Sequence, residues 1–235
     1  MPINADEVLE RYASGERNFH GVDLSGVDLS GKSLQGIQLR KANLSGVDLS
    51  ETDLSRADLS QTDLNHAKMQ GIYLNGAILC EANLIEADLS AAVLDGAMLE
   101  GAILDRAILT QASLSHADLS RSSLADADLS GANLSEAILD GAVLDGAILN
   151  DANLNQADLV VAELHQASLN EATLKEANLS GAELDEADLS GAELVVANLT
   201  HASLSEADLH DANLSGANLE KANLDKTVLN AEEND

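Results

Sequence analysis

The stretch GANLSEAILDGAVLDGAILNDANLNQADL, residues 131 to 159, repeats itself every five residues, and that stride decides the fold. Leu134, Leu139, Leu144, Leu149, Leu154 and Leu159 mark the beat, each with an alanine two places before it. Followed outward, the register runs unbroken from Phe19 to Leu229. It holds 43 positions, of which 41 are leucine and the others Phe19 and Met69. From Ala77 to Ala222 the preceding alanine fails only at Ser122. A period of five fits neither a 3.6-residue helix nor a 2-residue strand, so the chain must turn once per unit. If each unit is a short extended piece and a tight turn, the leucine and the alanine two places earlier point to one side and line a narrow interior.

Glycine tests this reading. Of 16 glycines, all but Gly15 fall two residues after the central position. A type II turn needs a positive φ at its third residue, which glycine adopts without steric cost. Units with Glu51, Gln61, His66 or Glu171 at that place are expected to use another turn type, giving a mixture of turns.

Composition narrows the function. Aromatic residues make up 1% of the chain while 45% is apolar, so leucine and alanine must supply the core. One proline and no Gly/Ser tether point to one continuous unit. The net charge of -29 disfavours nucleic acid and anionic membranes as direct partners and favours a partner with a neutral or basic surface. Residues 122–235 carry 23 acids against 3 bases, so the C-terminal half is the more anionic. No signal-like start or membrane-length apolar run is seen, and the lone Cys80 fits a reducing compartment; a cytoplasmic protein is expected.

With ADLSQ (57–61), EANLSGAELDEADLSGAEL (176–194) and the opening stretch in view, the chain resembles the pentapeptide repeat proteins over residues 19–229. The resemblance implies an all-β, right-handed quadrilateral β-solenoid with four units per coil. Residues 20 apart would then stack in about 10–11 coils, in a rod about 50 Å long. EVLERYASGERNFHGVDL (7–24) also resembles the start of cyanobacterial members, where a short helix precedes RNF, here Arg17, Asn18 and Phe19. Residues 1–18 are therefore read as a capping helix and lead-in, 19–230 as the solenoid and 231–235 as an acidic tail. Asn4 caps the helix, Glu7 stands three residues later as in a capping box, Val8, Leu9 and Tyr12 form its stripe, and Gly15 ends it. The C-terminal end carries no such cover. Either Asp225, Lys226, Glu232 and Glu233 shield it, leaving a monomer, or two chains meet end to end.

The residue before each central leucine should face solvent. One stack reads Asp23, Asn43, Asp63, Asn83; another sets Asp28 beside Asp48, a mildly destabilising pair. The six histidines never stack and no zinc spacing occurs. No nucleophile–base set, phosphate loop or dinucleotide fingerprint is visible, so neither enzyme nor cofactor is expected. Cys80 reads as an inert surface thiol.

GAMLEGAILDRAILT (96–110) breaks the polar pattern. Val93, Met98, Ile103 and Ile108 put an apolar residue at four successive outward places, one on each side of a four-unit coil. Ile138, Val143 and Ile148 repeat most of this belt two coils on, and Ile78 lies one coil before Met98. These eight residues are the candidate protein-interaction surface; the plainer account is that β-branched side chains stabilise strand ladders. The function expected is a non-catalytic interaction or scaffold module, regulatory as some cyanobacterial members are. The alternative, also from the resemblance, is a DNA mimic that inhibits or protects a type II topoisomerase, DNA gyrase. B-DNA carries one charge per about 1.7 Å, hence roughly 30 over 50 Å, close to this chain's -29.

Overall fold

A computed structural model describes residues 3–229. From Asn18 onward every fifth residue forms a parallel bridge with the residue 20 places further on, as in Asp23 with Asn43 and Ile78 with Met98. Four five-residue units thus complete each coil, and the chain winds as a β-helix.

Backbone groups explain the regularity. In each unit the central leucine N–H donates to the next coil (Leu24 N to Asn43 O, 2.8 Å), and so does the residue two places later (Gly26 N to Ser45 O, 2.9 Å). The N–H before the leucine donates back to the previous coil (Asn43 N to Val22 O, 2.9 Å), and the alanine N–H closes the turn onto the leucine carbonyl (Ala42 N to Leu39 O, 2.8 Å). In most units the fifth N–H finds a side chain: Ser50 N donates to Asp48 Oδ1 at 3.1 Å and Ser45 N to Asn43 Oδ1 at 3.1 Å. This is why Asp and Asn recur before the leucine. There they satisfy an amide that the coil cannot.

The turns are uniform, which corrects the expected mixture. Glu51, Gln61, His66 and Glu171 take φ of 57°, 58°, 54° and 58°, beside 61–73° for most of the glycines at the same place. An L-residue there costs roughly 1–2 kcal/mol. Two ladder bonds and the turn bond hold the position, so tertiary pairing overrides the local preference. Val161 and Val196, β-branched and over half exposed, take it too.

Phe19 and every central residue through Leu209 are buried, with the alanines interleaved. The polar residues inside are Thr52, Thr62 and Ser122; their hydroxyls donate to the carbonyls of Leu29 (2.8 Å), Leu59 (2.7 Å) and Leu119 (2.6 Å).

The N-terminal end is covered by helix α1 (Ala5–Ala13). Asn4 Oδ1 accepts from Glu7 N at 2.8 Å, and Val8 is fully buried, with Ile3, Leu9 and Tyr12 packed beside it. The helix ends in a Schellman motif: Gly15 N donates to Tyr12 O (3.0 Å) and Glu16 N to Arg11 O (3.1 Å), with Gly15 at φ 100°. Ile3 N donates to Asp23 O at 3.1 Å, pairing part of the first coil's edge. Among the described residues the other end carries no such cover. Leu224, Val228 and Leu229 are 39–50% exposed, and Leu214, Leu219 and Leu224 N–H have no partner among the described residues. Glu232 and Glu233, expected to shield this edge, and the 231–235 tail lie outside the described residues.

Candidate interaction surface

Each coil offers four sides, conveniently named by the belt residues Val93, Met98, Ile103 and Ile108. Met98, Ile103 and Ile108 are 41%, 40% and 41% exposed, Ile138 and Ile148 are similarly open, and Ile78, Val93 and Val143 are half-buried. All eight predicted residues face outward.

The structure does not join them into one patch. Asp118, Ser123 and Asp128 stack between Met98, Ile103 and Ile108 on one coil and Ile138, Val143 and Ile148 two coils on. The apolar residues that stack directly are instead two pairs on the two sides of one corner: Tyr73 bridges to Val93 and Ile78 bridges to Met98. Tyr73, 48% exposed, was missed by following one coil around. Subtracting 20 from Val93 finds it.

Apolar residues at these places forgo a bond. Where Asp or Asn precedes the leucine, its Oδ1 accepts from the N–H two residues on. After Val93, Ile103 and Ile108, the N–H groups of Asp95, Asp105 and Thr110 have no acceptor among the described residues. A hydrogen bond of this kind contributes about 0.5–1.5 kcal/mol. Strand-ladder packing alone must offset that at each position.

Charge is also sided. The Ile108 side presents Asp28, Asp48, Asp88, Asp128, Asp188 and Asp208 against Lys68, whereas the Val93 side presents only Asp53 and Glu193 at its outward places. The corner row between the Ile103 and Ile108 sides holds eight carboxylates and two cations; that between the Met98 and Ile103 sides holds four of each. Charge at the outward places is therefore graded, -2 on the Val93 side, -3 on the Met98 side, -4 on the Ile103 side and -5 on the Ile108 side, and the corner between the last two is the most anionic.

Local bonds tune the carboxylates. In the alternating stack, Asn43 Nδ2 donates to Asp23 Oδ1 at 3.1 Å and Asn83 Nδ2 to Asp63 Oδ1 at 3.0 Å, so amides separate like charges as expected. The Ser25 hydroxyl and N–H (2.8 and 3.2 Å) hold the Asp23 carboxyl below its ordinary range, and the Ser30 N–H and hydroxyl (2.9 and 2.7 Å) do so at Asp28. A lowered folded pKa contributes stability above the unfolded value of about 3.9, and that contribution is lost as pH falls through the folded pKa. The melting temperature is therefore expected to fall below about pH 4. Ser25→Ala with Ser30→Ala should move that acid limb to higher pH, read from thermal melts between neutral and acid pH.

The histidines do not stack on one another, but His66 Nδ1 lies 3.2 Å from Glu86 and His165 Nε2 2.8 Å from Glu183, exposed pairs of small energetic weight. Burial and the Glu100 carboxylate push the Cys80 thiol up, away from reactivity. Among the described residues there is no group of three metal-ligating side chains, no helix long and apolar enough to cross a membrane, and no pocket.

Comparison places the architecture. The chain is similar to HetL, a pentapeptide repeat protein involved in heterocyst differentiation regulation from Nostoc sp. strain PCC 7120, at 36% identity over 97% of each chain with a TM-score of 0.79. It is also similar to alr5209 of Nostoc PCC 7120 (34% identity, 44% of this chain and 84% of that one, TM-score 0.41). A third match is Rfr23 of Cyanothece 51142 (42% identity, 37% and 60%, TM-score 0.37). No curated protein matches. The model of the family described as Pentapeptide repeats matches residues 18–56, 57–96, 87–126, 127–160, 162–195 and 192–230. The chain belongs to the pentapeptide repeat family, and its fold is that family's right-handed β-helix with one short N-terminal helix.

Proposed function

We propose that the chain is a non-catalytic protein-interaction module, a rigid quadrilateral rod of 10–11 coils whose outer sides dock a protein partner. The observation that carries this reading is the placement of exposed apolar residues where the repeat otherwise spends Asp or Asn on a backbone N–H. Similarity to HetL, itself involved in regulation, supports a regulatory role. Combined Met98→Asp, Ile103→Asp and Ile108→Asp is expected to keep the melting temperature and lose the partner that the wild-type chain retains from its native lysate. Unchanged retention by a folded variant sinks the reading.

The concentration of carboxylates on the Ile103 and Ile108 sides favours a second reading, a DNA mimic acting on DNA gyrase. A supercoiling assay with micromolar protein separates the two: the interaction module leaves gyrase untouched, and the mimic inhibits it or protects it from a quinolone.

A further inference from the structure

Four coils in succession make a pattern at the corner between the Val93 and Met98 sides. On the Met98 side the stack reads Asp58, Ile78, Met98, Asp118; on the Val93 side it reads Asp53, Tyr73, Val93, Ser113. The ridge between them carries Asn75 and Gly76 on one coil and Asp95 and Gly96 on the next, and Asp95 Oδ1 accepts from Ser113 Oγ (2.6 Å) and Ser115 N (3.1 Å). A Cβ at Gly96 would meet nothing within 4 Å, and one at Gly76 only the Arg56 stem at 4.0 Å. The four apolar side chains therefore form a shelf two coils tall, its ridge marked by the partly exposed Asn75 and Asp95 and left without a side chain at Gly76 and Gly96. Carboxylates bound it at both ends. Asp58 Oδ1 accepts from Ser60 N and Oγ (3.0 and 2.6 Å) and Asp118 Oδ1 from Ser120 N and Oγ (3.0 and 2.5 Å). Each Oδ2 accepts no hydrogen bond among the described residues. The serines thus fix both carboxylates and leave one oxygen of each for an outside donor.

We infer that this shelf binds an amphipathic α-helix of a partner protein, laid along the rod, with the order basic, apolar, apolar, basic on its contacting face. The inference rests on the interaction-module reading and names the partner's chemistry. Coils repeat at about 4.8 Å, close to the 5.4 Å pitch of an α-helix, so one residue per helical turn meets each coil. Over three intervals the mismatch reaches only about 2 Å, which a lysine or arginine stem absorbs. An extended strand fits worse: residues on one face repeat at about 6.6–6.8 Å, nearly 2 Å off at every coil. A second copy of this chain fits worse again, because its own shelf ends in carboxylates that would meet Asp58 and Asp118. The helix instead sets its cations against those ends, on the two sides with the fewest outward carboxylates, two on the Val93 side and three on the Met98 side.

The probe is a labelled synthetic helix with Lys, Leu, Leu and Lys at i, i+4, i+7 and i+11 on an Ala/Gln background, titrated by fluorescence anisotropy at about 0.15 M salt. A peptide of the same composition in scrambled order is the control. Saturable binding with a gain of helical circular dichroism is expected. Ile78→Asp with Met98→Asp should weaken it about tenfold or more, since an unpaired carboxylate is then buried. Asp58→Asn with Asp118→Asn should weaken it severalfold and flatten its salt dependence, and Ile103→Asp with Ile108→Asp should leave it unchanged. All these residues are surface-exposed or half-buried, so unchanged melting temperatures certify each fold. Equal binding of the scrambled peptide, no binding, no helix gain, or loss confined to the Ile103/Ile108 variant overturns the inference. If it is overturned while the triple aspartate variant still sheds its native partner, the helix assignment falls and the module reading stands.

Discussion

Leu134→Lys is expected to leave no native rod at room temperature, measured as loss of the folded circular dichroism signal and of any cooperative melt. Leu134 is wholly buried, and its N–H donates to Asn153 O at 2.7 Å, so its Cα cannot shift without breaking the ladder. Above and below it stand Leu114 and Leu154, and among the described residues no carboxylate is buried in the interior. A lysine ammonium there loses its hydration with no partner, at an effective cost of several kcal/mol, against a total stability of about 5–15 kcal/mol for a typical domain. Coils hold only their neighbours, so a defect in mid-rod is not diluted over the whole. The milder Leu134→Ala should cost about 2–5 kcal/mol and lower the melting temperature while keeping the fold. An undiminished melting temperature for the lysine variant would mean that the leucines do not line a dry interior.

Deleting residues 1–15 is expected to convert the chain into elongated assemblies that grow with concentration. α1 buries Val8, packs Leu9 and Tyr12 against the core and sets Arg11 4.8 Å from the Phe19 ring centroid, and Ile3 N donates to the Asp23 carbonyl. Without it the first coil presents N–H groups that point backward, as at Asp23, Asp28 and Ser33. Among the described residues the last coil presents the forward-pointing N–H groups of Leu214, Leu219 and Leu224 together with the alanine carbonyls that a following coil would use. Those two edges are related as successive coils are, so copies can stack head to tail. Such a contact does not close. Light scattering should rise with protein concentration for the deletion and stay flat for the intact chain; a monodisperse deletion product would show that α1 does not block the edge.

The interior was legible because one residue type recurs at one spacing: a stride of five with leucine at 41 of 43 places leaves no competing register. The capping helix was legible from Asn4 and Gly15, whose roles depend on local backbone geometry. The uniform turn was not. Propensity weighs Glu51 or Val161 as a single residue, whereas their conformation is held by bonds such as Glu51 N to Gln70 O at 2.9 Å, made 19 residues away. Of the interaction surface, each outward residue was placed by counting, yet contiguity follows stacking at 20, which brings Tyr73 to Val93 and sets Asp118 between Met98 and Ile138. The unpaired N–H after Val93 was also hidden, because the partner that Asp or Asn supplies elsewhere becomes visible only once the turn is built.

The 20-residue winding makes side identity a matter of arithmetic. Duplicating one pentapeptide near the middle of the rod would leave every leucine inside and every turn intact, yet rotate all later coils by a quarter revolution. More and less acidic flanks would then fall out of alignment across the junction, as a twisted ribbon changes the colour it shows. Gain or loss of twenty residues would lengthen or shorten the rod and keep its stripes in line. Natural length variation that preserves a long docking stripe is thereby confined to multiples of a whole coil.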